Sequence, residues 1–200
     1  MTPDPRINSL LDQTNRLFLK KRFREAISFY DEILKIDQNH LNVLNNKGYA
    51  LSKLGNYSDA LACYDKALRI NPTDMSVLIN KISALRKVGE HKKAIEYCDI
   101  ILNINPNYNV VLYHKERILH SIGRYKESIL CCDKILKDYP ENGDVLFDKS
   151  TSLALLEKFN ESISNLEKAI RSGNQFKIKA QKSKAFEKLL SNQRFQKLVS

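Results

Sequence analysis

The residues most able to do covalent or metal chemistry are four cysteines and four histidines, and their spacing favours neither kind. Cys131 and Cys132 are adjacent, so on a helix their side chains would point about 100° apart and could not easily hold one metal ion. His114 and His120 do not share a helix face. The sequence has no Gly-rich phosphate loop, no His-Glu-x-x-His, no Cys-x-x-Cys and no nucleophile with a local base. We therefore expect no enzyme activity, no metal and no cofactor.

A lysine and an acid also recur at a constant spacing of 34 residues. The lysines are Lys47, Lys81, Lys115 and Lys149, and the acids are Asp31, Asp65, Asp99, Asp133 and Glu167. Such a stripe of lysines could bind an anionic ligand. Because a periodic acid accompanies the periodic base, we favour a structural role, in which each amine meets an acid of the same or the preceding unit.

The cysteine pattern is typical of small buried apolar residues rather than of a disulfide framework. Cys98 and Cys132 occupy the repeat position at which Tyr30 and Tyr64 stand in earlier units. The N-terminus lacks the apolar core of a signal peptide, and no apolar stretch is long enough to span a membrane. We therefore expect a cytoplasmic protein that does not enter a membrane.

The elements that position these side chains come from one repeated segment. Residues 54–74, LGNYSDALACYDKALRINPTD, return in altered form at 88–108 as VGEHKKAIEYCDIILNINPNY and at 122–142 as IGRYKESILCCDKILKDYPEN. In the unit 41–74 the residues at set offsets are Leu44, Gly48, Leu51, Gly55, Tyr57, Ala60, Tyr64, Ala67 and Pro72. This pattern and its period resemble the tetratricopeptide repeat, a pair of helices that stacks into arrays.

The resemblance implies an all-α fold, a right-handed superhelix of about five helix pairs closed by a C-terminal capping helix. We expect residues 1–200 to form a single solenoid domain, with repeats at 7–40, 41–74, 75–108, 109–142 and 143–176 and a cap at 177–200. Leucine recurs at the fourth and eleventh repeat positions, which predicts the seam between the helices of each pair. Gly55, Gly89 and Gly123 predict the turns between them. Lys21 and Glu157 replace this glycine in the first and fifth units.

In the family that the sequence resembles, the first helix of each unit lines a concave groove. Carried over by position, the groove residues are Asn15, Phe18, Asn45, Tyr49, Lys53, Ile79, Ser83, Arg86, Lys87, Tyr113, Arg117, His120, Phe147 and Thr151. The middle of this set is basic and polar and its ends are apolar, which suits a protein or peptide with an acidic segment. Tyr49, Arg86, Tyr113 and Arg117 are expected to converge at its centre. The alternative is that the lysines and arginines form only a solvated face.

We therefore interpret the chain as a non-catalytic scaffold that binds a protein segment in this groove. Two alternatives remain open. Residues 171–200 hold eight basic residues and one acid, which favours nucleic-acid binding, although the aromatic Phe186 and Phe195 are expected to serve the cap rather than stack on bases. Self-association would follow if the cap leaves apolar surface exposed.

The period fails after Phe176, and a different helical pattern follows. Its apolar residues predict one amphipathic helix that covers the last repeat; they are Ile178, Ala185, Phe186, Leu189 and Leu190. Asn192 is expected to cap a short final helix that holds Phe195 and Leu198.

Overall fold

The computed structural model describes residues 4–200, and every regular element in that range is helical. The chain divides into two compact units between Tyr97 and Cys98, which we call the N-terminal and the C-terminal unit. The predicted all-α fold is confirmed for the described residues. That residues 1–200 form one domain stays a prediction. None of the helices within residues 4–200 is long and apolar enough to cross a membrane.

The N-terminal unit is built from antiparallel helices that pack in chain order. They are α1 (Pro5–Leu19), α2 (Phe23–Ile36), α3 (Leu41–Lys53), α4 (Tyr57–Ile70) and α5 (Met75–Lys87). Asp4 caps α1 by accepting a hydrogen bond from the Arg6 amide, and Pro5 is its first residue. The core of this unit holds Tyr30, Ile33, Leu44, Tyr64 and Val77.

The division between the units falls within α6 (His91–Ile104). The C-terminal unit continues with α7 (Asn109–Ser121), α8 (Tyr125–Asp138), α9 (Gly143–Leu155) and α10 (Phe159–Ser172). Here α7 packs on α8, α8 on α9 and α9 on α10. The first helix of repeats two to five begins at the first residue of its predicted repeat, so the period sets the helix boundaries.

The turns inside the helix pairs share one left-handed backbone conformation, whichever residue stands there. Gly55 has a φ of 81°, and Lys21 and Glu157, which replace the glycine, have φ values of 57° and 60°. A side chain in this region costs about 1 kcal/mol relative to glycine. The first and fifth units therefore keep the turn of the repeat although their sequences do not favour it.

The C-terminal segment differs from the single amphipathic helix that we predicted. It forms α11 (Gln175–Lys182), a 3-10 helix (Lys184–Leu189) and α12 (Gln193–Val199), and Asn192 caps α12 as expected. The buried positions are Phe176, Ala180, Phe186, Leu189 and Phe195, whereas Ile178 and Leu190 are 50% and 58% exposed.

A change of phase explains this break. Ala180 and Phe186 are six residues apart, so on one continuous helix their side chains would point about 120° apart. The extended backbone at Ser183 resets the phase, and the Ser183 hydroxyl accepts a hydrogen bond from the Ala185 amide. Both residues can therefore face the last repeat.

Several cations of this segment are paired with acids of the helices that it covers. Ion pairs join Lys179 to Asp144, Lys188 to Glu157, and Arg194 to Glu167. Part of the C-terminal charge therefore fastens the segment to the body of the C-terminal unit.

The buried Tyr30 gives a first testable consequence of the repeat. The Tyr64 hydroxyl lies 3.4 Å from the Ser52 hydroxyl, but Phe18 stands at the equivalent place in the first repeat, and the Tyr30 hydroxyl finds no hydrogen-bond partner within residues 4–200. We expect Tyr30→Phe to raise the free energy of unfolding by about 1 kcal/mol, because it removes an unsatisfied buried group. Urea denaturation measures this, with Tyr64→Phe as the control that should not gain stability. Equal losses in both variants would contradict it.

Candidate functional site

A pocket of about 260 Å³ lies in the N-terminal unit, among α3, the start of α4, and α5. Its lining residues are Tyr49, Ser52, Lys53, Tyr57, Tyr64, Asn80, Ser83, Ala84 and Lys87. Tyr49, Ser52 and Lys53 come from the first helix of the second repeat. Asn80, Ser83, Ala84 and Lys87 come from the first helix of the third. The pocket therefore opens on the face that the first helices of these repeats present.

Four of the predicted groove residues line this pocket, namely Tyr49, Lys53, Ser83 and Lys87. Two more support it. The Phe18 ring lies 5.3 Å from the Tyr49 ring, and the Asn80 amide donates a hydrogen bond of 2.9 Å to the Asn45 side-chain oxygen. Both contacts fix the orientation of a lining residue.

The remaining predictions in this unit lie apart from the pocket. Asn15 is exposed on α1, and Ile79 and Arg86 are partly buried on α5, outside the pocket lining. Sequence reasoning missed Tyr57 and Tyr64, because it took groove residues from the first helices alone. The sequence does contain a signal for both, since they are aromatic residues of the repeat pattern: Tyr57 is the first residue of the second helix, and Tyr64 is buried within that helix.

The pocket combines aromatic walls with a basic rim. The Lys53 amine lies 4.9 Å above the centre of the Tyr49 ring, a cation–π contact. Among residues 4–200 neither Lys53 nor Lys87 forms an ion pair. Burial raises the pKa of Tyr64 to about 12, so its phenol stays protonated. The site can thus offer two ammonium groups and several hydroxyl groups to an anionic side chain.

The periodic lysines behave differently from these two, and the structural role that we favoured for them is confirmed. Lys81 pairs with Asp65 at 2.6 Å, Lys115 with Asp99 at 2.5 Å, and Lys149 with Asp133 at 2.5 Å, each acid lying one unit earlier. Lys47 pairs in the same way with Asp31. A cavity of about 590 Å³ includes both members of that pair, together with Lys35 and Lys66.

In the C-terminal unit the predicted groove residues on α7 bind one another or their neighbours. Arg117 donates a hydrogen bond of 3.3 Å to the Tyr113 hydroxyl, and its guanidinium lies 5.5 Å from the centre of that ring. The His120 ring stands edge-on to Tyr125, and burial lowers its pKa, so the imidazole is neutral at pH 7. Of the predicted groove residues on α7, Arg117 is the exposed cation.

The predicted residues on α9 are covered rather than open. Phe147 packs 5.7 Å from Phe176 and 6.0 Å from Phe186, both in the C-terminal segment. Thr151 is 6% exposed and lies 3.4 Å from His120. The C-terminal segment therefore covers the face of α9 on which Phe147 was predicted to line the groove.

The cysteines occupy packing positions. Cys98, Cys131 and Cys132 are buried and Cys63 is partly buried, and all four are free thiols. Burial raises the pKa of Cys131 to about 11 and that of Cys98 to about 12. The thiols therefore stay protonated, as expected for small apolar residues rather than nucleophiles.

Comparison with known proteins agrees with this geometry. The family model of the tetratricopeptide repeat matches residues 42–74. A TPR repeat-containing protein of Picosynechococcus sp. is 36% identical over 53 residues, which is 26% of this chain and only 14% of that protein. The chain thus matches a small part of that relative's length.

Solved structures resemble the fold over most of the chain. MamA from Desulfovibrio magneticus RS-1 matches with a TM-score of 0.80 and 17% identity, over 90% of this chain and 99% of that one. A tetratricopeptide repeat protein from Parabacteroides merdae matches with a TM-score of 0.83 and 18% identity, over 96% and 77%. YrrB, described as a TPR protein with an unusual peptide-binding site, matches with a TM-score of 0.71 and 20% identity, over 87% and 91%.

At these identities the structural likeness concerns the fold alone. Residues 42–74 match the tetratricopeptide repeat, and the chain has the fold of tetratricopeptide repeat proteins.

Proposed function

We propose that this protein is a non-catalytic scaffold and that its N-terminal unit binds an acidic protein segment at the tyrosine-walled pocket. The observation that carries the proposal is the contrast between two kinds of lysine. The periodic lysines are neutralised by acids, whereas Lys53 and Lys87 stand at the pocket rim without an ion pair among the described residues. Unpaired ammonium groups beside aromatic walls favour a carboxylate-bearing side chain.

The known relatives support this class of function without naming the partner. YrrB is described as having a peptide-binding site. For this chain, the proposal of peptide binding depends on the residues that line the pocket. The free thiols support the cytoplasmic setting that the sequence favoured, because reducing compartments keep cysteines unpaired.

Nucleic-acid binding through the C-terminal segment is less well supported. Three of its cations are engaged with acids of the repeats, and both Phe186 and Phe195 are buried. Bases would find no aromatic platform on either ring.

The proposal is tested by selecting peptides and reversing the rim charges. A random peptide library selected on the full chain should enrich sequences that contain Asp or Glu. Lys53→Glu with Lys87→Glu should weaken a selected peptide at least about 100-fold, because two charge-assisted contacts of about 1.5–3 kcal/mol each are replaced by repulsion. Binding should also weaken with added salt.

The matched control is Lys20→Glu with Lys92→Glu, which changes the net charge equally at two exposed lysines outside the pocket. It should leave the affinity within about threefold, since neither lysine lines the pocket and exposed charges are screened by salt. Equal losses in the two double variants would show that only net charge matters. Enrichment of basic or purely apolar peptides would also contradict the proposal.

A further inference from the structure

The core of the C-terminal unit holds an acid where the other repeats carry an uncharged residue. Glu116 occupies the eighth position of the fourth repeat, which is Thr14, Gly48, Ile82 or Ser150 in the others. It is 1% exposed. Room for it exists because Cys132 stands at the position that Tyr64 fills two repeats earlier, and a Cβ on Gly48 would already meet that tyrosine ring.

Only one of the two oxygens of the Glu116 carboxyl has a hydrogen-bond partner among the described residues. The Ser128 hydroxyl donates a hydrogen bond of 3.0 Å to Glu116 Oε1 and lies 3.1 Å from the Ser152 hydroxyl. This chain of contacts joins α7 to α8 and α8 to α9. Glu116 Oε2 is buried and has no hydrogen-bond partner among the described residues.

A second carboxyl, Asp148 on α9, interacts electrostatically with Glu116. Its side chain is partly buried, and within residues 4–200 it makes no ion pair. Arg117 is held at the Tyr113 hydroxyl, and Lys179 pairs with Asp144 at 3.2 Å. Neither cation therefore contacts Asp148 or Glu116.

The titratable and charged groups near the two carboxyls are few. They are Tyr113, Arg117 and His120 on α7, Cys131 and Cys132 on α8, Asp144 on α9 and Lys179 on α11. An unpaired carboxylate is costly in such surroundings, and a proton on the carboxyl removes the charge.

We propose that Glu116, which is linked through Ser128 to Ser152 on α9, is a proton-binding group of the core, so that the C-terminal unit holds together more firmly at mildly acidic pH and loosens as the pH rises. Burial, and after it the charge of Asp148, raise the pKa of Glu116 to about 7, although the Ser128 hydrogen bond and Arg117 act in the opposite direction. Burial likewise raises the pKa of Asp148 to about 6.

The direction follows from these raised values. A carboxyl that binds its proton more tightly in the folded chain stabilises the fold fully below its ordinary pKa, near pH 4. That stabilisation is lost as the pH rises through about 6 to 7. Because Tyr113, Arg117 and His120 lie on the same helix as Glu116, the loosening changes the face that α7 presents.

The test compares the full chain with Glu116→Gln, which keeps the shape and stays uncharged. Between pH 5.5 and 8 the melting temperature of the wild type should fall by about 5 °C more than that of the variant. Amide hydrogen exchange of α7 and α9, corrected for the intrinsic pH effect, should show the same difference, with α3 of the N-terminal unit as the internal control. Glu141→Gln, at an exposed acid of the C-terminal unit that is not among the groups near the two carboxyls, should keep the wild-type slope.

A direct measurement keeps the test independent of how the variant folds. Carbon-detected nuclear magnetic resonance on the wild-type chain should place the titration midpoint of the Glu116 carboxyl above pH 6. A midpoint near 4.5, or identical pH slopes in wild type and Glu116→Gln, would overturn the proposal.

Discussion

Replacing Gly48 by isoleucine should lower the free energy of unfolding of the N-terminal unit by about 3 kcal/mol, because overpacking a filled core forces side chains out of their rotamers. A Cβ at this position would lie 2.5 Å from Tyr64 Cε1, and Tyr64 is 1% exposed. The ring is almost fully buried, so an added side chain would have to displace it. Glycine is therefore required here by its neighbour rather than by its backbone conformation.

The same reasoning predicts a rescue. The third repeat carries Ile82 and Cys98 at the two positions that Gly48 and Tyr64 occupy in the second. Tyr64→Cys alone should be destabilising, because it leaves a cavity. Gly48→Ile combined with Tyr64→Cys should be more stable than the sum of the single losses by about 2 kcal/mol, measured by urea denaturation in a double-mutant cycle. Additive losses would show that these two positions do not share one space.

Lys81→Glu should cost the N-terminal unit about 3 kcal/mol, because it places a carboxylate at a buried position where the lysine met Asp65. The Lys81 amine contacts Asp65 at 2.6 Å and the Tyr97 hydroxyl at 2.5 Å, and the residue is 8% exposed. Burial alone would lower the pKa of Lys81, but these hydrogen bonds outweigh burial and raise it. The reversal would place a second carboxylate against Asp65.

The control for this prediction lies on the same helix. Lys87→Glu makes the same change of charge at an exposed residue of α5, and it should shift the free energy of unfolding by less than about 0.5 kcal/mol. Thermal or urea denaturation separates the two variants. Similar losses would contradict the division between lysines that hold the helices together and lysines at the pocket rim.

The helix boundaries, the turns and the lysine–acid pairs could be predicted from the sequence, because each depends on a contact that recurs with the repeat. The break at Ser183 could not, because the capping segment has no second copy to compare. The same segment explains why Phe147 is covered although its repeat position belongs to an inner face. Repeat position alone does not tell which unit is the last.

The candidate site was predicted in part for a related reason. Tyr49, Lys53, Ser83 and Lys87 follow from the first-helix positions, whereas Tyr57 enters from the next helix. Glu116 could have been noticed in the sequence, because it is an acid at a repeat position where the other units carry none. That Tyr49, Arg86, Tyr113 and Arg117 converge stays a prediction.

We propose that the pocket of the N-terminal unit takes an acidic segment, and mapping where such a segment binds tests that claim. An acidic peptide selected on the full chain would be titrated into isotope-labelled protein and followed by nuclear magnetic resonance. We predict that the shifted signals centre on Tyr49, Lys53, Ser83 and Lys87. Shifts centred instead on Leu34, Cys63 and Lys66, which line the larger cavity of the same unit, would contradict the claim.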